Sequence, residues 1–251
     1  MKKHRLKGII LKQIEYSENS LVLRYLSREH GLISILAKGV RKQAEKIQFT
    51  NLHEYDMGLS EPKESGLWLY NDHDLLANYS TYPNPATWAA AECGMELISQ
   101  MIISSDEHAH IYDLAISYLE YLNQVNTNAI LIFWRFFIRM LRIGGVGAPQ
   151  DFCCVCHQSL DSYDVIDLQH GGLLCHACRQ DNSNHENQQK LSELSSQVLR
   201  LMPEIGNHLG EIKLSRREVG EINLLLERYW DRHNKQTLKL KSLSVLGQFY
   251  A

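Results

Sequence analysis

Cysteines at metal-ligand spacing are the residues of this sequence that most clearly indicate a chemical site. Five of the six cysteines fall between positions 153 and 178, and four of them form two Cys-x-x-Cys pairs separated by 18 residues. Each pair presents two thiolates to one point, and two pairs complete the tetrahedron that Zn²⁺ prefers. Four protein ligands leave no position for water or substrate, so we expect a structural Zn²⁺. The expected ligands are Cys153, Cys156, Cys175 and Cys178.

The segment between the two pairs is typical of a short hairpin that brings the second pair to the first. It runs through Val165 and Ile166 into His170-Gly171-Gly172-Leu173-Leu174. Two alternatives remain: a pair of redox-active or simply buried cysteines, and a metalloenzyme or thiol enzyme with an activated cysteine such as Cys154. No nucleophile–base–orienter motif is visible in the sequence. The second-choice ligands are Cys154, His157, His170 and His176.

Positive charge is concentrated at the start of the chain. The first 50 residues contain 11 Lys and Arg against four Asp and Glu, whereas the rest of the chain contains 15 against 25. The formal net charge of −3 hides this division. A polyanion would therefore meet a cationic surface on an acidic body. For any single lysine, the simpler alternative is that it only keeps the protein soluble.

The most compact basic group lies between Ala37 and Lys42. Its three cations accompany Gly39, which allows a close approach of the backbone, so a sugar–phosphate chain could lie along it. The residues expected to contact nucleic acid are Lys38, Arg41, Lys42, Arg24 and Arg28, with Lys2, Lys3, Arg5 and Lys7 extending the patch. The aromatic residues that could stack on bases are Tyr16, Tyr25 and Phe49.

The elements that must position these residues differ between the two parts of the chain. Short alternating runs at 6–11, 20–26, 31–37, 53–59 and 66–70 predict five strands, and five strands in about 75 residues suit an OB-fold. We therefore predict an α+β multidomain protein. A five-stranded OB-fold β-barrel, residues 1–80, is followed by a mainly α-helical domain, residues 81–251. The four-cysteine, zinc-ribbon-like site is inserted in the second domain at about 151–179.

The two prolines of Tyr82-Pro83-Asn84-Pro85 mark the boundary, because neither can donate to a strand ladder. Beyond it, apolar residues recur at helical spacing in 86–103, 111–125, 129–143 and 218–233. Residues 129–143 are apolar almost all round, which predicts the most buried helix. Its polar stripe of Arg135, Arg139 and Arg142 could touch phosphates, although pairing with acidic neighbours is favoured. The Asn-, Ser- and Gln-rich residues 180–189 predict an exposed linker.

No apolar run approaches the roughly 20 residues needed to cross a bilayer, and the first residues lead into a strand pattern instead of a signal-peptide core. We expect a cytoplasmic protein that does not act in a membrane.

Three segments, taken in order, resemble the N-terminal signature of the RecO family of bacterial recombination mediators. They are residues 18–24, 28–34 and 37–42, which read ENSLVLR, REHGLIS and AKGVRK. The order of domains is also similar, because that family has an OB-fold followed by a helical domain that a zinc-binding Cys-x-x-Cys pair interrupts. The resemblance covers nearly the whole chain, and the AKG segment is its most specific part.

The resemblance implies a non-enzymatic protein of recombinational DNA repair, in the cytoplasm at the nucleoid. Such a protein binds single- and double-stranded DNA and anneals complementary strands. With RecR it helps to load RecA onto DNA coated by single-stranded-DNA-binding protein. Lys38, Arg41 and Lys42 match the family's basic motif, and the four paired cysteines match its metal ligands.

The resemblance also implies that the helical domain docks the acidic C-terminal tail of single-stranded-DNA-binding protein, a peptide that Arg135 or Arg139 would suit. The main alternative is an RNA- or ribosome-associated OB-fold protein with a structural zinc site. It stays open because nothing in the sequence reads a 2′-hydroxyl.

Overall fold

The computed structural model describes residues 2–43, 47–62, 66–181, 187–234 and 236–250. Backbone contacts divide the chain into two compact units, residues 1–125 and residues 126–251. Residues 182–186, the middle of the segment whose composition predicts an exposed linker, lie outside the described residues.

Five strands of the first unit form a closed barrel in the order β1-β2-β3-β5-β4. They are β1 (Lys3–Tyr16), β2 (Ser20–Ser27), β3 (Gly31–Ala37), β4 (His53–Ser60) and β5 (Leu67–Asn78). The β3–β5 pair is parallel, and the other neighbouring pairs are antiparallel. The predicted five-stranded OB-fold is confirmed.

Alternation along the strands fills the barrel. In β3 the buried residues Gly31, Ile33, Ile35 and Ala37 alternate with partly exposed ones. Since successive side chains of a strand point to opposite faces, every second residue enters the interior. Leu23, Met57 and Leu59, which have no exposed surface, pack there from the neighbouring strands. The barrel interior is therefore a hydrophobic core and leaves only its outer surface for ligands.

The turn after β3 positions the predicted basic residues. The chain passes through Lys38 and Gly39 into a short 3₁₀ helix, Val40–Gln43. Gly39 has a φ of 71°, in the left-handed region, and a Cβ atom there would meet no atom within 4 Å. The backbone conformation thus favours glycine at this position, although space is available. The turn brings Lys38 and Arg41 to the surface at the end of β3.

Two helices, α1 (Pro85–Gln100) and α2 (His108–Leu122), belong to the same compact unit as the barrel. The Asn84 side chain accepts a hydrogen bond from the Thr87 N–H at 3.0 Å and caps α1. Arg28, directly after β2, donates two hydrogen bonds of 3.0 Å to the Asp113 carboxylate, which fixes α2 against the barrel. The predicted division of the chain at residues 80 and 81 stays a prediction.

The second unit is mainly helical, as predicted. Its helices are α3 (Ala129–Ile143), α4 (His176–Asp181), α5 (Glu193–Leu201), α6 (Arg216–His233) and α7 (Lys241–Gly247). Helix α3 is buried along most of its length, which confirms the prediction for residues 129–143. Trp134 of α3 donates to Asn223 of α6 at 2.8 Å, and this bond ties the two helices together. Among the described residues, no helix is both long and apolar enough to span a membrane.

A three-stranded sheet in the order β7-β6-β8 lies beside the cysteines. Its strands are β6 (Val165–Asp167), β7 (Gly172–Leu173) and β8 (Gln188–Lys190). The antiparallel β6–β7 pair confirms the predicted hairpin. The linker prediction is wrong for Gln188 and Gln189, which pair with β6. Backbone hydrogen bonds hold this strand, so it needs few apolar side chains.

Close packing around Gly8 gives a test of the barrel. A Cβ atom at this buried position of β1 would lie 2.3 Å from the Leu26 carbonyl oxygen and 2.4 Å from Cε1 of Tyr25. Gly8→Ala is therefore expected to lower the free energy of unfolding by about 1–3 kcal/mol, measured by urea denaturation. Gly220→Ala is the matched control, because the exposed α6 position has no atom within 4 Å of a new Cβ. It should add up to about 1 kcal/mol, and unchanged stability in Gly8→Ala would contradict the packing.

Glu92 of α1 gives a second test, through the pH dependence of stability. Burial, together with the nearby Glu96 carboxylate, raises the pKa of Glu92 from 4.5 to about 6. The folded protein holds this proton more tightly than the unfolded chain does, so stability is lost as the pH rises from below 4.5 through 6.

Glu92→Gln should therefore raise the free energy of unfolding at neutral pH by about 1–2 kcal/mol and change it little near pH 4. Thermal unfolding at several pH values measures this, with Glu120→Gln at an exposed position of α2 as the control. The same gain at both pH values would rule out the ionisation of Glu92 as its cause.

Candidate metal centre and nucleic-acid surface

The four predicted cysteine ligands converge on one point. The sulfur atoms of Cys153, Cys156, Cys175 and Cys178 all lie within 4.8 Å of one another. Cys153 and Cys175 are buried, whereas Cys156 and Cys178 are partly accessible. Four soft sulfur donors in a closed group fit a tetrahedral metal ion that needs no open position. The second-choice ligands Cys154, His157, His170 and His176 do not belong to the group that the described residues form.

Local backbone structure brings each pair into place. After Cys153 the chain turns tightly, with the His157 N–H donating to the Cys153 carbonyl at 3.0 Å and His157 at a φ of 58°. The second pair spans the start of α4, where the Cys178 N–H donates to the Cys175 sulfur at 3.5 Å. Each of these two turns, with its Cys-x-x-Cys pair, is one knuckle of the site. The Cys154 N–H donates to the Leu173 carbonyl at 2.9 Å, and this hydrogen bond joins the two knuckles.

Two aspartates that support the second knuckle were missed by the sequence reasoning. Asp161 accepts the His176 N–H at 3.0 Å, at the first turn of α4, and Asp164 pairs with Arg179. The sequence carries no local signal for Asp161, because a capping side chain normally belongs to the residue directly before the helix and Asp161 lies 15 residues before His176.

The environment of the thiols differs from one to the next. Burial opposes ionisation of Cys153, but the N–H groups of Cys156, Cys175 and Val155 outweigh it and lower the pKa of Cys153 to about 7. Burial and the nearby thiols raise the pKa of Cys178. Burial and the Asp167 carboxylate raise the pKa of Cys154 to about 12. Cys154 is thus held as a protonated thiol, which is unsuited to a nucleophile.

The predicted nucleic-acid residues Lys38, Arg41 and Lys42, which we call the basic turn, are all exposed. Arg41 is fixed to the β1–β2 turn, since its guanidinium donates to the Ser17 carbonyl at 3.3 Å and lies 3.2 Å from the Glu15 carboxylate. Lys38 and Lys42 have no acidic partner in the part of the chain that the structure describes. Their charge is therefore available to an anionic ligand.

Arg24 and Arg28 occupy different surroundings from the basic turn. Arg24 is half-buried and donates to the Ser34 hydroxyl at 2.9 Å. Arg28 is committed to Asp113 of α2, and this hydrogen-bonded pair raises the pKa of Arg28. A role for either in nucleic-acid binding stays a prediction, and Arg28 would have to share its charge with the carboxylate.

The N-terminal extension of the patch meets acidic residues. Arg5 is paired with Asp56, Asp72 and Asp74 of β4 and β5. The three carboxylates more than balance the single charge of Arg5. Arg5 therefore adds no excess positive charge to the surface where β1 adjoins β4. The cationic region is therefore narrower than the count of basic residues indicates, and it is centred on the turn after β3.

The aromatic predictions divide by burial. The prediction that Tyr25 and Phe49 stack on bases is wrong, because the two residues are 0% and 9% exposed and belong to the barrel core. The Tyr25 hydroxyl donates to the carbonyls of Leu6 and Tyr55 at 3.0 and 2.6 Å, which explains an aromatic residue on an inward position. Tyr16 is 54% exposed, in the β1–β2 region that Arg41 contacts.

The arginine stripe of α3 is only partly paired. Arg142 donates to Asp151 at 2.6 Å, as the pairing prediction requires. For Arg135 and Arg139 that prediction is wrong within the described residues, where neither has an ion pair with an acid. Burial, together with the neighbouring Arg135, lowers the pKa of Arg139. The two like charges therefore repel each other, and no ion pair with an acid of the described residues offsets them.

Two family models match this chain over consecutive ranges. The family model described as Recombination protein O N terminal matches residues 1–79, and the one described as Recombination protein O C terminal matches residues 83–243. This chain belongs to the recombination protein O family. The N-terminal family match includes the basic turn, and the C-terminal match includes all four cysteines of the metal centre. The predicted resemblance to RecO is confirmed.

Curated relatives in the family are distant but extend over most of the chain. A DNA repair protein RecO from Halalkalibacterium halodurans is 22% identical, over 98% of this chain and 94% of its own length. The protein of that name from Bacillus pumilus is 24% identical, over 93% and 90%. The one from Clostridium perfringens is 26% identical, over 72% and 74%.

Proposed function

We propose that this member of the recombination protein O family is a DNA repair protein that binds single- and double-stranded DNA and anneals complementary strands without covalent chemistry. The observation that supports it is the basic turn, where Lys38 and Lys42 are exposed beside Arg41 at the end of a barrel strand. The relatives described as DNA repair proteins support the same class of function. We place its action in the cytoplasm, at the nucleoid.

Annealing requires that two polyanions approach each other while their bases stay available for pairing. Cations that contact phosphates release counterions and lower the repulsion between strands. The basic turn supplies these contacts, and the exposed ring of Tyr16 offers a surface on which one base can stack. Neither contact reads a base edge, so binding should depend little on sequence and strongly on salt.

We propose Zn²⁺ as the ion of the four-cysteine centre. Thiolate ligands at the corners of a closed group favour Zn²⁺, which would hold the two knuckles together and leave no coordination site for a reactant. Despite burial, backbone N–H groups lower the pKa of Cys153, which favours its thiolate form as a metal ligand. The ion would then stabilise the hairpin and take no part in a reaction.

We propose the partners of a recombination mediator as well. With RecR, the protein would help to load RecA onto DNA coated by single-stranded-DNA-binding protein. The acidic C-terminal tail of that coating protein would bind at Arg135 and Arg139, whose charges have no acidic partner in the described parts of the chain. Apolar residues of the tail would pack beside them.

The test is fluorescence-monitored annealing of two complementary single strands, bare and coated with the cognate single-stranded-DNA-binding protein, without added nucleotide. We expect the protein to accelerate annealing on both, with a rate that falls as salt rises. Failure to bind or anneal DNA at low salt would overturn the proposal. A matched RNA strand that displaced DNA at much lower concentration would indicate an RNA-binding protein instead.

A further inference from the structure

A second candidate binding site lies in the unit that carries the cysteines. A cavity of about 460 Å³ opens between the last turn of α6 and residues 152–174, which carry the first cysteine pair and the β6–β7 turn and which we call the cysteine hairpin. The hairpin turn is pressed directly against the helix, since a Cβ atom at Gly171 would lie 2.5 Å from the Arg228 carbonyl oxygen and 3.3 Å from Cβ of Arg232. The hairpin turn and α6 form the two walls of the cavity, and they are in contact along one of its edges.

Arg232 gives this cavity a permanent positive charge. Arg232 and His233 line it from α6, and His157 and His170 line it from the hairpin, while none of the described lining residues is acidic. The nearby acids are already engaged: Asp151 binds Arg142, and the buried Asp167 accepts the N–H groups of Gln169 and His170 and lies 3.1 Å from Nδ1 of the His170 ring. A negatively charged ligand would therefore meet no repelling carboxylate on the cavity wall.

The same cavity offers aromatic surface. Phe152, beside the first cysteine, is 56% exposed although it is large and apolar. On α6 the rings of Tyr229 and His233 are in contact, with centroids 4.2 Å apart and planes tilted by 34°. The Tyr229 hydroxyl donates to the Val146 carbonyl at 2.7 Å, and His233 bonds the Tyr229 carbonyl through Nδ1 at 2.8 Å. These bonds fix both rings in place before a ligand arrives.

An exposed ring next to an arginine and several histidines matches the chemistry of a nucleotide, which combines a flat base with a phosphate. We infer that this cavity binds a nucleotide of single-stranded DNA, with the base on Phe152 and the phosphate at Arg232. The inference rests on the proposed function and adds a second strand site to it. The basic turn in one compact unit and this cavity in the other would let one molecule hold two strands, as annealing requires.

The test uses the full chain and a single-stranded oligonucleotide that carries 5-iodouracil, with cross-linked peptides mapped after irradiation. We expect cross-links in the peptide that contains Phe152 as well as near the basic turn. The variant Phe152→Ala with Arg232→Gln should lose the first cross-link and bind a second oligonucleotide about tenfold more weakly. Arg228→Gln, an exposed position one turn earlier on α6, is the control and should change neither readout.

The outcomes separate this inference from the proposed function. Cross-links near the basic turn alone, with the double variant binding a second oligonucleotide as well as the natural protein, would overturn the cavity site and leave the proposed function standing. The absence of any cross-link would count against both. A third outcome would show a peptide site instead. In it the oligonucleotide binds the natural protein and the double variant equally, whereas an acidic peptide binds the natural protein alone. Metal content, measured in each variant, shows whether the hairpin is intact.

Discussion

Alanine at Lys38, Arg41 and Lys42 together is expected to weaken the binding of single-stranded DNA by about 10- to 100-fold at moderate salt. Each lost phosphate contact reduces the slope of log K against log salt by about 0.7 for a single strand, so the slope should become shallower by about 2. The loss should be similar for different base sequences, because phosphate contacts carry no sequence information. Fluorescence anisotropy titrations at several salt concentrations measure both quantities.

The control for this experiment removes the same charge elsewhere. Lys190, Lys213 and Arg216 are exposed residues of the second unit, outside the basic turn. If their triple alanine variant lost as much affinity as the basic-turn variant, binding would depend on net charge alone and the basic turn would not be the contact surface. The turn variant should lose little thermal stability, because Lys38 and Lys42 make no ion pair with the described residues and the Arg41–Glu15 pair lies at the surface, where such pairs contribute little.

Replacing Cys175 with serine is expected to abolish stoichiometric zinc binding and to lower the melting temperature by about 10 °C. A structural zinc site stabilises its fold by many kcal/mol, and several kcal/mol correspond to such a shift in a chain of this size. Cys175 is buried and lies 3.7 Å from the Cys156 sulfur, so no solvent ligand can replace it without moving the hairpin. Protease cleavage should then appear first between β6 and α5.

Cys154→Ser is the matched control, since Cys154 neighbours a ligand but its sulfur lies outside the four-cysteine group. It should keep one equivalent of zinc and the natural melting temperature. A variant at Cys154 that lost the metal would show that the ligand set is wrong. Metal analysis of the purified proteins together with differential scanning fluorimetry gives both readouts.

Local sequence patterns were sufficient for the metal ligands and the barrel. The spacing of two Cys-x-x-Cys pairs fixes which sulfurs can meet, because each turn is a local structure and one hairpin joins them. The strand runs are equally local, since alternation reports which face of a strand is buried. Both predictions therefore rest on local patterns, although closure of the barrel also needs the distant β1–β4 and β3–β5 pairs, and the structure confirms the geometry of each.

Predictions that needed distant contacts were less successful. Tyr25 and Tyr16 look alike in the sequence, but inward or outward position in the closed barrel separates a core residue from an exposed one. Arg5 is basic in the sequence and neutralised in the structure, because its acidic partners lie more than 50 residues away. The cavity residue Tyr229 shares a helical face with Val219 and Ile222, so periodicity alone predicts a core position for it.

The closure of the barrel also limits how other proteins can attach. Each of its five strands has a hydrogen-bonded neighbour on both sides over part of its length, and a partner can extend the sheet with a strand of its own only where one side is unpaired. The β3–β5 pair joins only residues 34–36 to residues 67–69, so the longer part of β5 is paired with β4 alone. The strands β7 and β8, at the two edges of the small sheet beside the cysteines, could also accept such a strand. A peptide that adds to β7 or β8 would be sensitive to loss of the metal, whereas one that adds to β5 would not.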